Sequence, residues 1–557
     1  MANDYLSTTG PIPNPKTLSF FTWEDNRLAY IRNYVNIART TVYFSTSGMD
    51  ANPGTMLSPK QSMTEMNNVI AASSGNIEIS LRAGDEWNSN VSLALNKVGI
   101  KLSVWGTGNK PWLNRYAQKY STGWTLASGT RYTRAEATDT AWVRYQGWDD
   151  SRSTATNRVL SKQTSAANCE ATANSFFWAA NVLHVNLGAT DPNTVLLEGN
   201  VTSTTPGVVV TKDQCWVDGL RISGFGQDTA NPHNPQAYQI QAAQGSDEVC
   251  YVSNCDGDYG GTHIIAQFQG GSSGAITLIE GCSAGFTLTG GSGETVYNTY
   301  SLNGLQETYF KNNTVIAGTL PTGTAAWARR GQTMYGHTGG GGPLASLIIA
   351  DGTVVVDSAF GCNRLSFFEN IPVVTTETDI RAFIIRERHT GAAFSAFPYH
   401  DTSWINCTYV LTPTEMGGQS MFASGTVAQY FDGWMWNNTV DLDLSGQSTT
   451  GSRSYYNSLT TNNNCRLWHN AFTFRMAATT AWRTDFDTGG TDSSPNCQFF
   501  NNIYQSNTAA VTSVGLKNNA ANLKNNAYFN IVGGADTVTR TAYGNDAGKV
   551  ALPSLIP

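Results

Sequence analysis

The sequence is poor in charge. Lys, Arg, Asp and Glu make up 13% of its 557 residues, about half the ~25% usual in globular domains. It holds no run of roughly 18 consecutive apolar residues, the length a membrane-crossing helix needs, so membrane insertion is not expected. No basic run exceeds Arg329-Arg330 and the net charge is −7, which argues against nucleic acid as a partner. The opening MANDYLSTTGPIPNPKTLSFF lacks a basic stretch followed by an apolar one, so no secretory signal is expected. The chain is then expected to stay in the cell that makes it, or to leave by another route such as lysis. Its nine cysteines include no C-x-x-C pair; free buried thiols are expected rather than a zinc or redox site. No cofactor or metal is expected. Gly339-Gly340-Gly341-Gly342 is followed by no Lys-Ser/Thr, which excludes a phosphate-binding loop.

What fills the gap is polar and uncharged: Asn, Thr, Ser and Gln, with 54 glycines and a 40% hydrophobic fraction ample for a core. Such a surface suits neutral sugars better than polyanions. Residues 1–21 read as extended. Residues 23–38 read as a short helix with Thr22 as its cap and Leu28, Ile31, Val35 and Ala38 as its apolar stripe. That helix either packs on its own domain or serves to attach the chain to a larger assembly. From Thr41 the texture turns to short β-rich runs, interrupted by one helix at 61–72 (QSMTEMNNVIAA).

An internal repeat organises the rest. An apolar run leads to an Asn and then to another apolar run, in YVSNC (251–255), LIEGC (278–282), FKNNT (310–314), FFENI (367–371), WINCT (404–408), MWNNT (435–439), LWHNA (467–471), FFNNI (499–503) and LKNNA (523–527). Taking the last Asn or its equivalent gives intervals of 27, 32, 57, 36, 32, 32, 32 and 24 residues, the 57 concealing one irregular turn. A period of 20–50 residues marks stacked units, and strand-length runs exclude helical repeats. Asn tolerates the left-handed backbone of a sharp corner, and its amide can bond the next coil in a ladder. The residues after the corner (Cys255, Cys282, Thr314, Ile371, Cys407, Thr439, Ala471, Ile503, Ala527) read as an interior column. A three-sided, right-handed parallel β-helix fits this pattern better than a propeller, whose blades run ~40–45 residues.

TVYFSTSGMDANPGT (41–55), the helix at 61–72, NIEISLRAGDEWNSNVSL (76–93) and GIKLSVWGTGNKPWL (99–113) together resemble the opening of pectate-lyase-like right-handed β-helix proteins. NVLHVNLGATDPNT (181–194) resembles a strand-turn signature of the same group. The resemblance implies an attachment segment at 1–40, a cap and first coils at 41–114, an all-β insertion at 115–180 (Trp124, Tyr132, Trp142, Tyr145, Trp178), coils at 181–545 and a tail at 546–557. That group includes polysaccharide lyases, glycoside hydrolases and bacteriophage tailspikes. It implies a virion tailspike that binds, and in one reading cleaves, cell-surface polysaccharide, meets other tail proteins through residues 1–40 and forms a homotrimer. A secreted polysaccharide lyase or glycoside hydrolase, and a non-catalytic virion decoration protein, are the alternatives.

Residues i and i+2 of a strand share a face about 6.6 Å apart, close to the carboxylate separation with which inverting glycosidases seat a water. Three Asp-x-Asp pairs qualify: Asp256/Asp258, Asp441/Asp443 and Asp485/Asp487. The first, near His263, is taken as the acid–base pair, with His263 orienting substrate. In FIIRERHTG, alternation puts Arg386 and Arg388 on one face and Glu387 with His389 on the other. Glu387 is the alternative carboxylate, and Arg388 the base of a lyase. Tyr399-His400-Asp401 offers a weaker His–Asp neighbour pair. Trp404, Trp434 and Trp436, with Trp468 and Trp482 behind them, are candidate sugar platforms against a reading as core packing.

Overall fold

The computed structural model describes residues 18–115, 118–145, 158–201 and 206–225, and beyond them the strands and corners of successive coils through Phe529. Two long parallel sheets run its length. The first has fourteen strands, from Thr40–Phe44 to Leu523–Lys524; the second has thirteen, from Glu86–Asn88 to Ala527–Phe529. Shorter parallel sheets form the third side, the longest joining Leu93–Leu95, Val208–Val210, Gln236–Ile240 and His263–Ile265. This is a parallel β-helix.

From the coil of Cys215–Asp218 to that of Gln498–Phe500, the described chain passes from first to second sheet through a two-residue corner whose first residue is left-handed: Gly219, Asn254, Gly281, Asn312, Gly352, Arg386, Asn406, Asn437, His469 and Asn501, with φ between 52° and 74°. Gly and Asn enter this region most readily. The second corner residue points inward and is buried: Leu220, Cys255, Cys282, Asn313, Thr353, Glu387, Cys407, Asn438, Asn470 and Asn502. The expected interior column is therefore right at Cys255, Cys282 and Cys407. In the Asn-Asn and His-Asn corners it shifts by one, because the second Asn, not Thr314, Thr439, Ala471 or Ile503, is the interior residue. Between the corners at Asn312 and Asn406 the chain turns at Gly352 and at Arg386. The strand that leads into FFENI is not part of the first sheet: Ser366–Glu369 pairs with Thr333–His337 in a separate sheet, and Asn370 and Ile371 lie outside the described residues.

The interior Asn residues form the anticipated ladder. The side-chain oxygens of Asn438, Asn470 and Asn502 accept the backbone N–H of Cys407, Asn438 and Asn470 at 2.8, 3.0 and 2.9 Å. Their amides donate to the carbonyls of Trp404, Met435 and Leu467. An amide is thus satisfied inside the core, where an unmet polar group would be costly. The six described cysteines are free and buried.

Helix α1 (Leu18–Val35) is longer at its start than expected, so Thr22 lies inside it and Ala38 beyond it. Its apolar stripe does not face away. Phe20, Leu28, Ile31 and Val35 pack on the outer face of the first sheet against Tyr251, Leu278, Tyr309, Ile349 and Phe383. Eighteen residues of helix span about 27 Å, matching five gaps of ~4.8 Å between the six strands from Cys215–Asp218 to Arg381–Ile385. Helix α2 (Met63–Ala72) is capped by Ser62, whose side chain accepts from Glu65 N–H, and buries Met63, Met66 and Ile70.

Mostly antiparallel strands occupy Gln118–Val201 in a four- and a five-stranded sheet, with one parallel pair between Ser161–Lys162 and Ser175–Ala179, around a core of Tyr120, Trp124, Val143, Leu160, Phe176, Leu183, Val185, Leu187 and Leu197. This inserted region runs past residue 180. Strand Val182–Asn186, in the segment read as a solenoid signature, pairs antiparallel inside it.

Candidate functional site

Along the outer face of the second sheet, strand register aligns Glu86, Trp112, Arg221 and Asp256 in one column and Asn88, Asn114, Ser223 and Asp258 in the next. Asp256 and Asp258 thus sit on one strand as the sequence required. Asp256 lies 3.1 Å from Lys110; the Asp258 side chain lies outside the described residues. His263 opens a strand on the third side, and its side chain is likewise outside them.

The antiparallel insertion closes on this end of the face through ion pairs. Lys119 bridges Glu86, at 2.9 Å, and Glu198; Glu198 also pairs with fully buried Arg144. Arg221 and Arg144 lie over the Trp112 ring at 4.5 and 5.1 Å. Burial alone would push the Glu198 carboxyl up, but Arg144 and Lys119 outweigh it and hold it below the usual range. Glu198 is therefore a fixed anion that fastens the insertion, not a proton donor. No local spacing in the sequence connects these residues; only the fold brings them together.

FIIRERHTG alternates as expected, with consequences that separate its members. Arg386 occupies a corner and donates to Asp351 at 2.7 Å. Glu387 is wholly buried inside the solenoid, which removes it as a substrate-facing carboxylate. His389 is also interior, and burial pushes its pKa down to about 3. Arg388 faces outward and is exposed. It is four strands from Asp256, about 19 Å at the usual strand spacing, so the two do not share a site.

Trp404 is wholly buried inside the solenoid and is not a sugar platform: its strand presents Ser403 and Ile405 outward instead. Trp436 is half-buried on the outer face of the first sheet, packed against the apolar cluster under α1. It is in register with Trp468 and Phe500, which stack on each other at 5.4 Å and 19°, so each covers a ring face a sugar would need. The side chains of Trp434, Trp482, Asp485 and Asp487, and residues Tyr399 and His400, lie outside the described residues.

The second Asp-x-Asp pair has a different environment. Asp441 and Asp443 face outward from strand Thr439–Leu444, between inward Val440 and Leu442. One Asp441 oxygen pairs with Arg475; Oδ1 is buried with no partner among the described residues. Burial, with the neighbouring Asp443 charge, raises the Asp441 pKa despite Arg475. Burial would raise Asp443 too, but hydrogen bonds from Ser445 Oγ (2.6 Å) and N–H (3.0 Å), with the Arg475 charge, take it below its ordinary value. Same-face carboxylates driven in opposite directions fit the division of roles between an acid and a base. The spacing alone fits all three pairs equally; the distinction comes from Ser445 and Arg475.

No family model matches the chain, and no curated protein does. Among solved structures it is similar to a XylC complex with xylose (10% identity, TM-score 0.40, covering 80% of this chain and 86% of that one). It is also similar to a glycoside hydrolase (9%, 0.44, 90% and 98%). A third is the tailspike gp49 of Acinetobacter baumannii bacteriophage Fri1, a capsular polysaccharide depolymerase (10%, 0.29, 84% and 61%). Likenesses this distant carry no argument about activity. The stacked parallel sheets themselves make this chain a parallel β-helix protein, the architecture its opening segments resemble.

Proposed function

We propose that the protein binds a cell-surface polysaccharide along the outer face of its second sheet and hydrolyses it with Asp441 and Asp443. The supporting observation is the pair itself: two carboxylates about 6.6 Å apart along one strand, one biased toward keeping its proton and one toward losing it. Asp441 gives its proton to the glycosidic oxygen as the bond from the anomeric carbon to that oxygen breaks. Asp443 takes a proton from the water that forms the new bond to that carbon. The separation suits an inverting displacement. Arg388 is on the same face two strands earlier, about 12 Å away, and serves a neighbouring sugar as a binding cation rather than as a lyase base. Asp256 and Asp258, six strands from the pair, extend the binding face.

The same reading makes the chain a virion tail component, following the resemblance of its opening. Because the apolar stripe of α1 is taken up by its own solenoid, contact with other tail proteins falls to residues before α1, and a homotrimer would form through the sides of the solenoid. Detection of the chain in purified phage particles tests the virion role, and light scattering tests the trimer.

The catalytic reading is tested by reducing-end release from a panel of capsular polysaccharides. Asp441→Asn and Asp443→Asn should each lose at least ~100-fold in turnover with binding retained, whereas Asp256→Asn should keep most of it. The reverse pattern would return the chemistry to Asp256 and Asp258. Binding without turnover by the native protein leaves a non-catalytic attachment protein.

A further inference from the structure

Helix α1 is fastened to the solenoid by a row of polar contacts, each to a different coil. Arg27 makes a two-pronged pair with Glu307 at 3.0 and 2.5 Å, and Arg32 does the same with Glu280 at 3.0 and 2.6 Å. Tyr34 donates to Asp213 at 2.8 Å. Arg39, just past the helix, donates to the carbonyls of Val35, Gln214 and Gly99. These hold the last three turns with matched partners.

The first two turns are held differently. Glu24 is 1% exposed and lies 3.2 Å from Lys311, which is shared with the buried carboxylate of Asp351. Asp351 also engages Arg386, whose guanidinium lies 5.4 Å over the Phe21 ring. The groups facing Glu24 are thus Lys311 and Asp351 from adjacent strands and Arg386 from the corner beyond, with Asp25 on the helix also acting on Arg386. The Oε2 atom of Glu24 is buried with no partner among the described residues. A protonated carboxyl tolerates that position; an ionised one is left with a buried oxygen that no donor among the described residues meets. Beside this polar group the first turn makes an apolar contact, Phe20 against Phe383 at 5.4 Å, within the cluster that α1 shares with the first sheet.

We propose that α1 is a pH-sensitive strap, whose first two turns are released from the solenoid as the medium goes from mildly acidic to alkaline while its last three turns stay fastened. Burial first, then the Asp351 charge, raises Glu24 from 4.5 to about 7 in the docked helix. In a released helix it returns to its ordinary value. Its contribution to docking is therefore complete below about pH 4.5 and is lost as pH rises through about 7. Asp351 shifts the other way, held down by Arg386 and Lys311 against its burial. Those partners belong to the solenoid, so Asp351 stays charged across this range and keeps repelling an ionised Glu24. Release uncovers Phe383, the first-sheet ring that Phe20 packs against.

Hydrogen exchange of the full chain between about pH 5.5 and pH 8.5, corrected for intrinsic rates, reads this directly. Peptides from 18–26 should lose protection at least ~10-fold, the factor that one pH unit of titration carries, while those from 27–35 hold theirs. Glu24→Gln, which keeps the shape and cannot ionise, should remove the difference. Unchanged protection at 18–26 in the native chain would overturn the proposal, whether or not the variant folds. So would equal loss along the whole helix, or a Glu24→Gln chain that keeps the full pH response.

Discussion

The two long sheets are built from the same coils with the same strand geometry, yet their outer faces differ. On the first, outward residues Val249, Ile276, Tyr251, Leu278, Tyr309 and Ile349 are as buried as the interior, because α1 lies over them. On the second, outward Arg388, Thr390 and Val410 are exposed, and Asp441 and Asp443 are partly so. A strand in a solenoid always buries one side; the other takes the composition of whatever covers it. An outward apolar column therefore reports a covering element, and an outward polar column reports a face left for a ligand. Continuous apolar runs such as LIIA (347–350) mark strands buried on both sides, and the alternation in TVDLDL marks one buried on a single side.

The sharpest way to break this contrast is to truncate one side chain on each face. Phe383→Ala removes a ring packed between the first sheet and Phe20 and should cost about 3 kcal/mol or more, as for a core aromatic. Val410→Ala, 41% exposed on the second sheet, should stay within about 0.5 kcal/mol. Denaturant unfolding midpoints measure both. Equal shifts would mean that α1 does not seal the first sheet.

A smaller effect separates the two ends of the strap. The Glu280 carboxyl, half-buried, would be raised by its burial, but hydrogen bonds from Arg32 and Tyr251 hold it below its ordinary value. Its contribution is present above the ordinary glutamate range and is lost as pH falls through the lower docked value. Acid should therefore loosen the last turns of α1, the opposite sense to Glu24 at the first turns. Because the pair is partly open to solvent, Arg32→Ala should cost only about 1 kcal/mol. The check is proteolysis within 27–35 as a function of pH. Loss of protection there on raising the pH, instead of lowering it, would contradict the pairing.

Much of the fold is legible because a solenoid repeats its physics. The left-handed corner favours Gly or Asn, and the interval between corners follows from coil length. Where the corner residue departs from that rule, as at Arg386, sequence reading loses it and takes instead the nearby FFENI, whose strand belongs to a separate sheet. The His469 corner survives only because an Asn follows it. The doubled Asn hides which residue faces inward, since both are polar and only the second is satisfied by a ladder inside the core. The site is less legible. An Asp-x-Asp spacing on a strand identifies three pairs without ranking them. The ranking depends on Lys110 beside Asp256, on Arg475 one strand beyond Asp441, and on Ser445 after Asp443. Trp404 and Glu387 are misplaced for a related reason: sugar-binding and core aromatics share a composition, and a charged residue in a corner's inward position defeats the expectation that charge faces water.

A further contrast falls at the corner joining the two faces, where backbone conformation rather than covering sets the residue. Asn437 has φ 54°, is exposed, and donates to the side chain of Asn406 at 2.8 Å. Asn437→Gly gives up that exposed hydrogen bond but removes the steric cost of a side chain in the left-handed region. The two changes nearly cancel, leaving a difference within about 0.5 kcal/mol. Asn437→Val keeps a side chain there and adds a branch at Cβ, so it should cost about 1–2 kcal/mol at the same exposed position. Both differences are read as shifts in the thermal unfolding midpoint of the full chain. If the Gly and Val variants were equally destabilised, the outer Asn column, and not the left-handed backbone, would be what the corner requires.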